Sequence, residues 1–147
     1  MITIRKFIRD DAATLQQSLY PEMSAGEIAD MIDEWNTCLC GGRYFEMFAI
    51  LSDGRIVGTV SLYEHSKSVA SAGAEVLPAE RGKGIAQSAI SYLMSYAADK
   101  HYRVLLDQVR KDNAASRRLH EKLGFESDGT VYRNRRDQEV VLYLKLL

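Results

Sequence analysis

Three groups of residues in this chain have types and spacings that could do chemistry. The first is Glu80-Arg81-Gly82-Lys83-Gly84-Ile85-Ala86-Gln87. An extended run, Ser71 to Leu77, precedes it and is closed by Pro78. Behind it Ile85, Ala89, Ile90, Leu93, Met94 and Ala97 recur at near-helical spacing on one face. The order is therefore strand, glycine loop, helix. Two glycines at a helix mouth let the main chain approach a ligand without Cβ interference. The first N–H groups of a helix lack internal partners and sit at the positive end of its dipole. Such a place binds phosphate. Arg81 and Lys83 add two cations beside it; the plainer reading is a tight connection whose charges face solvent. The second group is Asn113, Ser116 and His120, spaced along a later helix. The third comprises Glu64, His65, Glu75 and Asp107, each able to accept a proton.

Spacing excludes two familiar phosphate loops. A nucleotide-hydrolase loop needs Gly, four residues, then Gly-Lys-Ser/Thr. Leu77 stands where its first glycine belongs, and Gly84 where its hydroxyl belongs. A dinucleotide fingerprint needs Gly-x-Gly-x-x-Gly, and Gln87 occupies the third glycine position. What remains is Arg81-x-x-Gly84-x-Ala86. This resembles the acyl-CoA loop of the GNAT superfamily of N-acetyltransferases, Gln/Arg-x-x-Gly-x-Gly/Ala. Downstream, the segment from Asn113 to Phe125 is similar to the superfamily's second signature: Asn-x-x-Ala/Ser, an aromatic residue, then Gly-Phe, here Gly124-Phe125.

The resemblance implies transfer of an acetyl group from acetyl-CoA directly to the primary amine of a small molecule or peptide. It implies catalysis by proximity, with no covalent enzyme intermediate. Gly82, Lys83, Gly84, Ile85, Ala86 and Gln87 would offer main-chain N–H groups to the pyrophosphate, with Arg81 opening the motif. Ala74, Glu75 and Val76 would polarise the thioester carbonyl through their main chain, with a bulge there splaying this strand from the next. Asn113 matches a position that touches the cofactor arm, or it is a plain helix N-cap; Ser116 would reach the cofactor too. The superfamily's usual general acid is a tyrosine four residues before the glycine of Gly-Phe. Here that position is His120, either beside the cofactor sulfur or partly exposed on an amphipathic helix. The position of the strand glutamate that serves some members as base is Gln108, which cannot take a proton. Glu75, Glu64, His65 and Asp107 remain as candidates, and a water chain could replace a base. The alternative is a GNAT-fold module that binds acyl-CoA without efficient turnover. The resemblance is also compatible with a homodimer.

The elements that must position these residues can be read in order. Ile2 to Phe7 alternates as a first strand. Asp10 or Asp11 caps a helix running to about Tyr20, which Pro21 breaks. Ser24 caps a second helix with Ile28, Met31, Ile32 and Trp35 as its apolar stripe. Tyr44 to Leu51 and Ile56 to Tyr63 form a hairpin through Asp53-Gly54. Arg103 to Val109 is a strand related to the Ser71–Leu77 strand by a right-handed parallel crossover. Asp112 or Asn113 caps a helix with apolar Ala115, Leu119 and Leu123. Phe125 to Tyr132 and Glu139 to Leu147 form a last hairpin around the charged loop Arg133 to Asp137. The expected fold is α/β: one acetyltransferase domain over residues 1–147, with a mixed, mostly antiparallel sheet of about seven strands and helices on both faces.

A chain of 147 residues suits one core. The formal net charge of −1 gives no argument for nucleic acid or an anionic membrane as partner. No apolar run approaches the roughly 20 residues that span a bilayer, and the charged N-terminus does not read as a signal peptide. Cys38 and Cys40 have no second pair to complete a zinc site, so no metal is expected and the thiols read as reduced, in a cytoplasmic protein. The acceptor site is expected between the second helix, the Cys38–Arg43 loop and the last hairpin. Glu22, Glu27, Asp30, Asp33 and Glu34 make the first of these acidic, which hints at a cationic acceptor or is an ordinary solvated face.

Overall fold

The computed structural model describes residues 1–147. Its frame is a twisted sheet built from β1 (Ile2–Lys6), β2 (Leu39–Cys40), β3 (Arg43–Ser52), β4 (Arg55–Glu64), β5 (Val69–Val76), β6 (Val104–Arg110), β7 (Val131–Arg133) and β8 (Glu139–Leu146). The strand order is β1-β3-β4-β5-β6-β8-β7, with β2 paired to β3 off this path. All neighbours are antiparallel except β5 and β6. That single parallel pair follows from the connection between them, the helix α3 (Ile85–Asp99), which carries the chain back across the sheet. The helices are α1 (Ala12–Gln17), α2 (Ala25–Asn36), α3 and α4 (Ala114–Lys122). No helix is long and apolar enough to cross a membrane.

Alternation along the strands sends two apolar sets to two sides. Phe48, Ile50, Val60, Leu62, Ala70, Ala72 and Leu105 pack with Ile85, Ala89, Ile90, Leu93 and Ala97 of α3. Ala49 and Leu51 of β3 point the other way and pack with Leu15 of α1 and Ile28 and Ile32 of α2. Helices therefore cover both faces, as expected. The stripe expected on α3 is its buried face: Ile85, Ala89, Ile90, Leu93 and Ala97 are all buried. The far end of α3 is held by a polar hub. Glu46, 4% exposed, accepts hydrogen bonds from the hydroxyls of Tyr44 and Tyr96 and pairs with Lys6 at 3.1 Å. Burial pushes its carboxyl up, but these donors outweigh burial and leave it below the usual carboxylate range. Lys100 lies over the rings of Tyr44 and Tyr96, 4.8 and 5.2 Å from their centres.

Four expectations need correction. The first helix does not reach Tyr20: a 3-10 turn at Arg9–Asp11 leads into α1, which ends at Gln17. The Ser18 hydroxyl donates to the Thr14 carbonyl at 2.8 Å and competes with the helix ladder there. Asp11 is no simple cap; its carboxylate pairs with Arg5 at 2.8 Å and accepts from the Ile8 N–H at 2.9 Å. The strand expected over Phe125–Tyr132 is largely irregular, with one bridge from Glu126 to Leu144 before the three residues of β7. Side-chain turns at Ser127 and Asp128 take up the N–H groups of Gly129 and Thr130 instead.

The last correction concerns the bulge. It lies not in Ala74–Val76 but in β4, where Ile50 pairs with Gly58 and Leu51 with Ile56, leaving Val57 over. β5 pairs with β4 without interruption from Ala70 to Val76. The two strands approach so closely that a Cβ on Gly58 would stand 2.2 Å from the Glu75 carbonyl oxygen. Gly58→Ala should therefore force β4 and β5 apart and lower stability by about 1–3 kcal/mol. Urea unfolding should show a lower midpoint at an unchanged slope; a wild-type midpoint would mean the two strands part without cost.

Candidate active site

β5 leaves the sheet's continuity at one place. It pairs with β6 only over Val69–Ser71 and Val104–Leu106. Beyond that row β5 stays with β4 and β6 stays with β8. The β6-facing main-chain groups of residues 72, 74 and 76, including Ala74 and Val76, therefore have no strand partner, whereas Glu75 turns its main-chain carbonyl to β4, against Gly58. The resulting gap runs about 17 Å along β5, from Ser71 to Val76, at roughly 3.3 Å per residue. The splay expected from the sequence is present, although its bulge sits one strand away.

The glycine loop closes the wide end of this gap. After β5 a 3-10 turn spans Pro78–Glu80. Gly82 and Gly84 then adopt φ of 79° and 77°, a region that disfavours any residue with a Cβ. Gly84 is the N-cap of α3 and accepts from the Ser88 N–H at 3.1 Å. The N–H groups of Gly82, Lys83, Gly84, Ile85, Ala86 and Gln87 have no acceptor in the protein. Six consecutive unbonded donors at a helix mouth form a concentrated positive site. The two cations expected to flank them are partly engaged. Lys83 pairs with Glu80 at 2.9 Å, and Glu80 also faces Arg55 at 3.5 Å. The Arg81 Nε donates to the Val76 carbonyl at 3.0 Å, joining the loop to the last residue of β5.

The second group of residues behaves differently from expectation. Asn113 caps α4: its side chain accepts from the Ser116 N–H at 3.1 Å. α4 does not bury Ala115, which is exposed; its inward face is centred on His120, 3% exposed. A histidine can sit there because every ring nitrogen has a partner. Nδ1 stands 2.7 Å from the Ser116 carbonyl oxygen, and Nε2 stands 2.7 Å from Asp107 Oδ2. A carbonyl only accepts, so Nδ1 carries a proton. A second proton is then shared along the Nε2–Oδ2 line. The ring also packs edge-on to Phe125 at 5.0 Å and against Tyr143 at 5.5 Å. His120 is therefore not a partly exposed surface residue but the tie between α4 and β6.

The remaining proton acceptors divide by face. Asp107 is taken by His120, and Glu64 accepts from the Tyr102 hydroxyl at 2.8 Å. Glu75 is exposed and unpartnered. It stands opposite Thr59, in the same row pattern as Ser71 opposite Tyr63, so it projects to the side away from α3. On that side a cavity of about 940 Å³ opens over the gap's narrow end, floored by Tyr63 and Gln108. Arg43, His65 and the loop of residues 133–138 wall it. Three of the four acidic side chains of α2 are engaged away from the cavity: Glu27 accepts from the Ser24 N–H in a capping box, and Asp30 and Asp33 both face Arg9, while Glu34 is unpaired and does not line the cavity. Their hint of a cationic acceptor is not carried by the geometry. The charged hairpin loop was visible in the sequence, but its meeting with Arg43, His65 and Gln108 was not.

A profile of the acetyltransferase (GNAT) family matches residues 10–125. The chain belongs to this family. Among solved structures, a probable acetyltransferase superposes with a TM-score of 0.86 at 22% identity, covering 99% of this chain and 92% of that one. A Salmonella typhimurium acetyltransferase that modifies the N-terminal serine of ribosomal protein L7/L12 superposes with a TM-score of 0.79 at 19% identity, covering 99% and 95%. A further Salmonella typhimurium protein, a putative acetyltransferase solved with acetyl-CoA, gives 0.75 at 18% identity, covering 100% and 94%. At these identities the likeness is one of fold. No curated protein sequence matches.

In this GNAT-family chain the largely shielded His120–Asp107 pair has a pH signature. Burial pushes the Asp107 carboxyl up, and the His120 contact only partly reverses this. Burial pulls His120 down, but the bonds to Asp107 and Ser116 outweigh it and leave the imidazole above its ordinary value. One proton is shared on the Nε2–Oδ2 line, so the pair holds it as a unit, more tightly folded than unfolded. The stability this contributes is complete below the unfolded imidazole value. It falls as pH rises, from about 6.5 upward. The unfolding free energy of wild type minus that of Asp107→Asn/His120→Gln should shrink as pH is raised from about 6 to 9. A difference that grows over this range would reverse the assignment.

Proposed function

We propose that the protein transfers an acetyl group from acetyl-CoA directly to a primary amine of a small molecule or peptide. The observation that carries this reading is the run of six unbonded N–H groups at the mouth of α3, set at the end of the β5–β6 gap. Family membership supports the reaction class, and the neighbours described with acetyl-CoA and with an N-terminal serine acceptor support the donor and the kind of nucleophile. Residues 1–147 would act as one acyl-CoA-binding domain.

Acetyl-CoA would supply the acyl group as an activated thioester. Residues 82–87 would grip its pyrophosphate. The gap would admit the pantetheine arm, and the unpaired N–H groups of Ala74 and Val76 would face the thioester carbonyl; the main chain of Glu75 is turned to β4. One donor aimed at the developing oxyanion contributes roughly 3 kcal/mol. The amine nitrogen forms the new C–N bond, the C–S bond breaks, the sulfur leaves as thiolate and the ammonium proton passes to a base. Glu75 is the unpartnered carboxylate on the cavity side and would take that proton through water. The cofactor's thiol has a pKa close enough to neutral, about 8.5 for a cysteine thiol, that its departure does not demand a strong acid. Both ring nitrogens of His120 are engaged, so we assign it a positioning role.

A second reading is an acyl-CoA-binding module without efficient turnover, favoured by Gln108 at the family's glutamate position and by the buried His120. Thiol release with a panel of amines separates the two. Gly84→Asp should abolish coenzyme A binding while leaving the fold largely intact, because aspartate tolerates positive φ better than most residues but sets a carboxylate among the N–H groups. Unchanged calorimetric affinity would refute the loop assignment. His120→Phe should lower turnover by less than about a hundredfold, since positioning of the two reactants contributes most of the rate. Complete loss with intact coenzyme A affinity would make His120 a catalytic acid.

A further inference from the structure

The cavity over the narrow end of the gap has an unusual lining. It contains four arginines, Arg43, Arg133, Arg135 and Arg136, with His65 and Gln108, and no aspartate or glutamate. Arg133 is paired with Asp137 at 3.0 Å. Arg43, Arg135 and Arg136 form no ion pair anywhere in the protein. The net charge is −1, so carboxylates are plentiful, yet none neutralises these three. Like charges held together without counter-ions are costly and raise the local concentration of anions.

The arginines are also held on a structured loop. Asn134 Oδ1 accepts from the N–H groups of Arg136 and Gln138, both at 3.0 Å. The Asn134 N–H donates to the Gln138 carbonyl at 3.0 Å. The backbone bearing Arg135 and Arg136 is thus closed by three bonds, while their guanidinium groups remain free. Arg43 is steadied from across the cavity by its bond to the His65 carbonyl. Such preorganisation lowers the ordering cost of binding.

Position ties this cavity to the reaction. Tyr63 stands opposite Ser71, and Ser71 pairs with Leu106, the last row before β5 and β6 part. Gln108 lies two residues further along β6, on the same face. None of residues 81–87 lines the cavity, so it is separate from the glycine loop. A symmetric contact between two copies through this face would oppose arginine to arginine, which favours a ligand over a second chain. The volume of about 940 Å³ suits a small molecule.

We propose that the cavity is the acceptor site and that the acceptor is a small primary amine that also carries a carboxylate or phosphate. Arg135, Arg136 and Arg43 hold the anionic group by charge-assisted hydrogen bonds, and the amine extends toward Gln108 and the gap. This inference rests on the acetyl-transfer reading only for the word acceptor; the anion site stands or falls by itself.

The test is titration calorimetry at low salt with protein saturated in coenzyme A, using glutamate, O-phosphoethanolamine, ethanolamine and spermidine as probes. At least one of the first two should bind, and their relative affinities distinguish carboxylate from phosphate. Ethanolamine and spermidine should bind at least tenfold more weakly. Arg135→Glu/Arg136→Glu should weaken anion binding at least tenfold with coenzyme A affinity unchanged. No binding of either anion, equal binding to the variant, or preference for spermidine would overturn the proposal. So would binding of an acidic peptide's N-terminus where the free amines fail. Anion binding without thiol release from acetyl-CoA supports the anion site and overturns the acetyl-transfer reading instead.

Discussion

The rest of the structure depends on how little β5 and β6 share. The crossover through α3 forces these two strands to run parallel, and a parallel pair buried between helices would ordinarily continue to both strand ends. Here it lasts three rows. β5 is claimed along its other edge by β4, to which it is pressed closely enough to require Gly58. β6 is claimed by β8 over its whole length. Two well-made antiparallel ladders thus pull one parallel pair open. The opening places unpaired main chain in the centre of the sheet, with the α3 mouth at one end and the arginine-lined cavity at the other.

What the chain does with its charges follows from the same geometry. Most carboxylates near the glycine loop and on α2 are taken up by nearby donors: Glu80 by Lys83 and Arg55, Asp30 and Asp33 by Arg9, and Glu27 by its own helix cap. Asp107 is different: its side chain is only 15% exposed and is matched by the buried His120. A lone carboxylate at that depth would be costly. The imidazole supplies the partner, and α4 is fixed to the sheet as a result. Tyr143 reinforces the fixing from β8, donating to Glu121 at 3.1 Å and accepting from Arg117 at 3.3 Å.

Much of this was legible in the sequence, for reasons that particular residues make plain. The period of Ile85, Ala89, Ile90, Leu93 and Ala97 depends only on α3 itself, so the helix and its buried face were readable. The Asp53-Gly54 turn and the Ser24 cap are equally local. The parallel crossover followed from element order. What was not readable depended on contacts between distant segments. His120 reads as either cofactor-facing or partly exposed until Asp107, on another element, supplies its partner. Lys83 reads as free until Glu80 folds back on it. The end of α1 at Gln17 turns on one serine hydroxyl, and the bulge at Val57 on the register of two strands. Arg43, His65, Gln108 and the 133–136 loop are scattered along the chain, and no spacing rule gathers them.

The hub at Glu46 has a mechanical consequence. It clamps Tyr96, near the last turn of α3, to Tyr44 of β3 and Lys6 of β1, while Lys100 caps the same aromatic pair. The opposite end of α3 begins with unbonded donors and two glycines. Behind that mouth Ile85, Ala89 and Ile90 are packed in the core, so the freedom of this end lies in the glycine loop and not in the helix axis. A shift in the main chain of residues 82–84 can therefore occur without disturbing the buried contacts of Leu93 and Ala97.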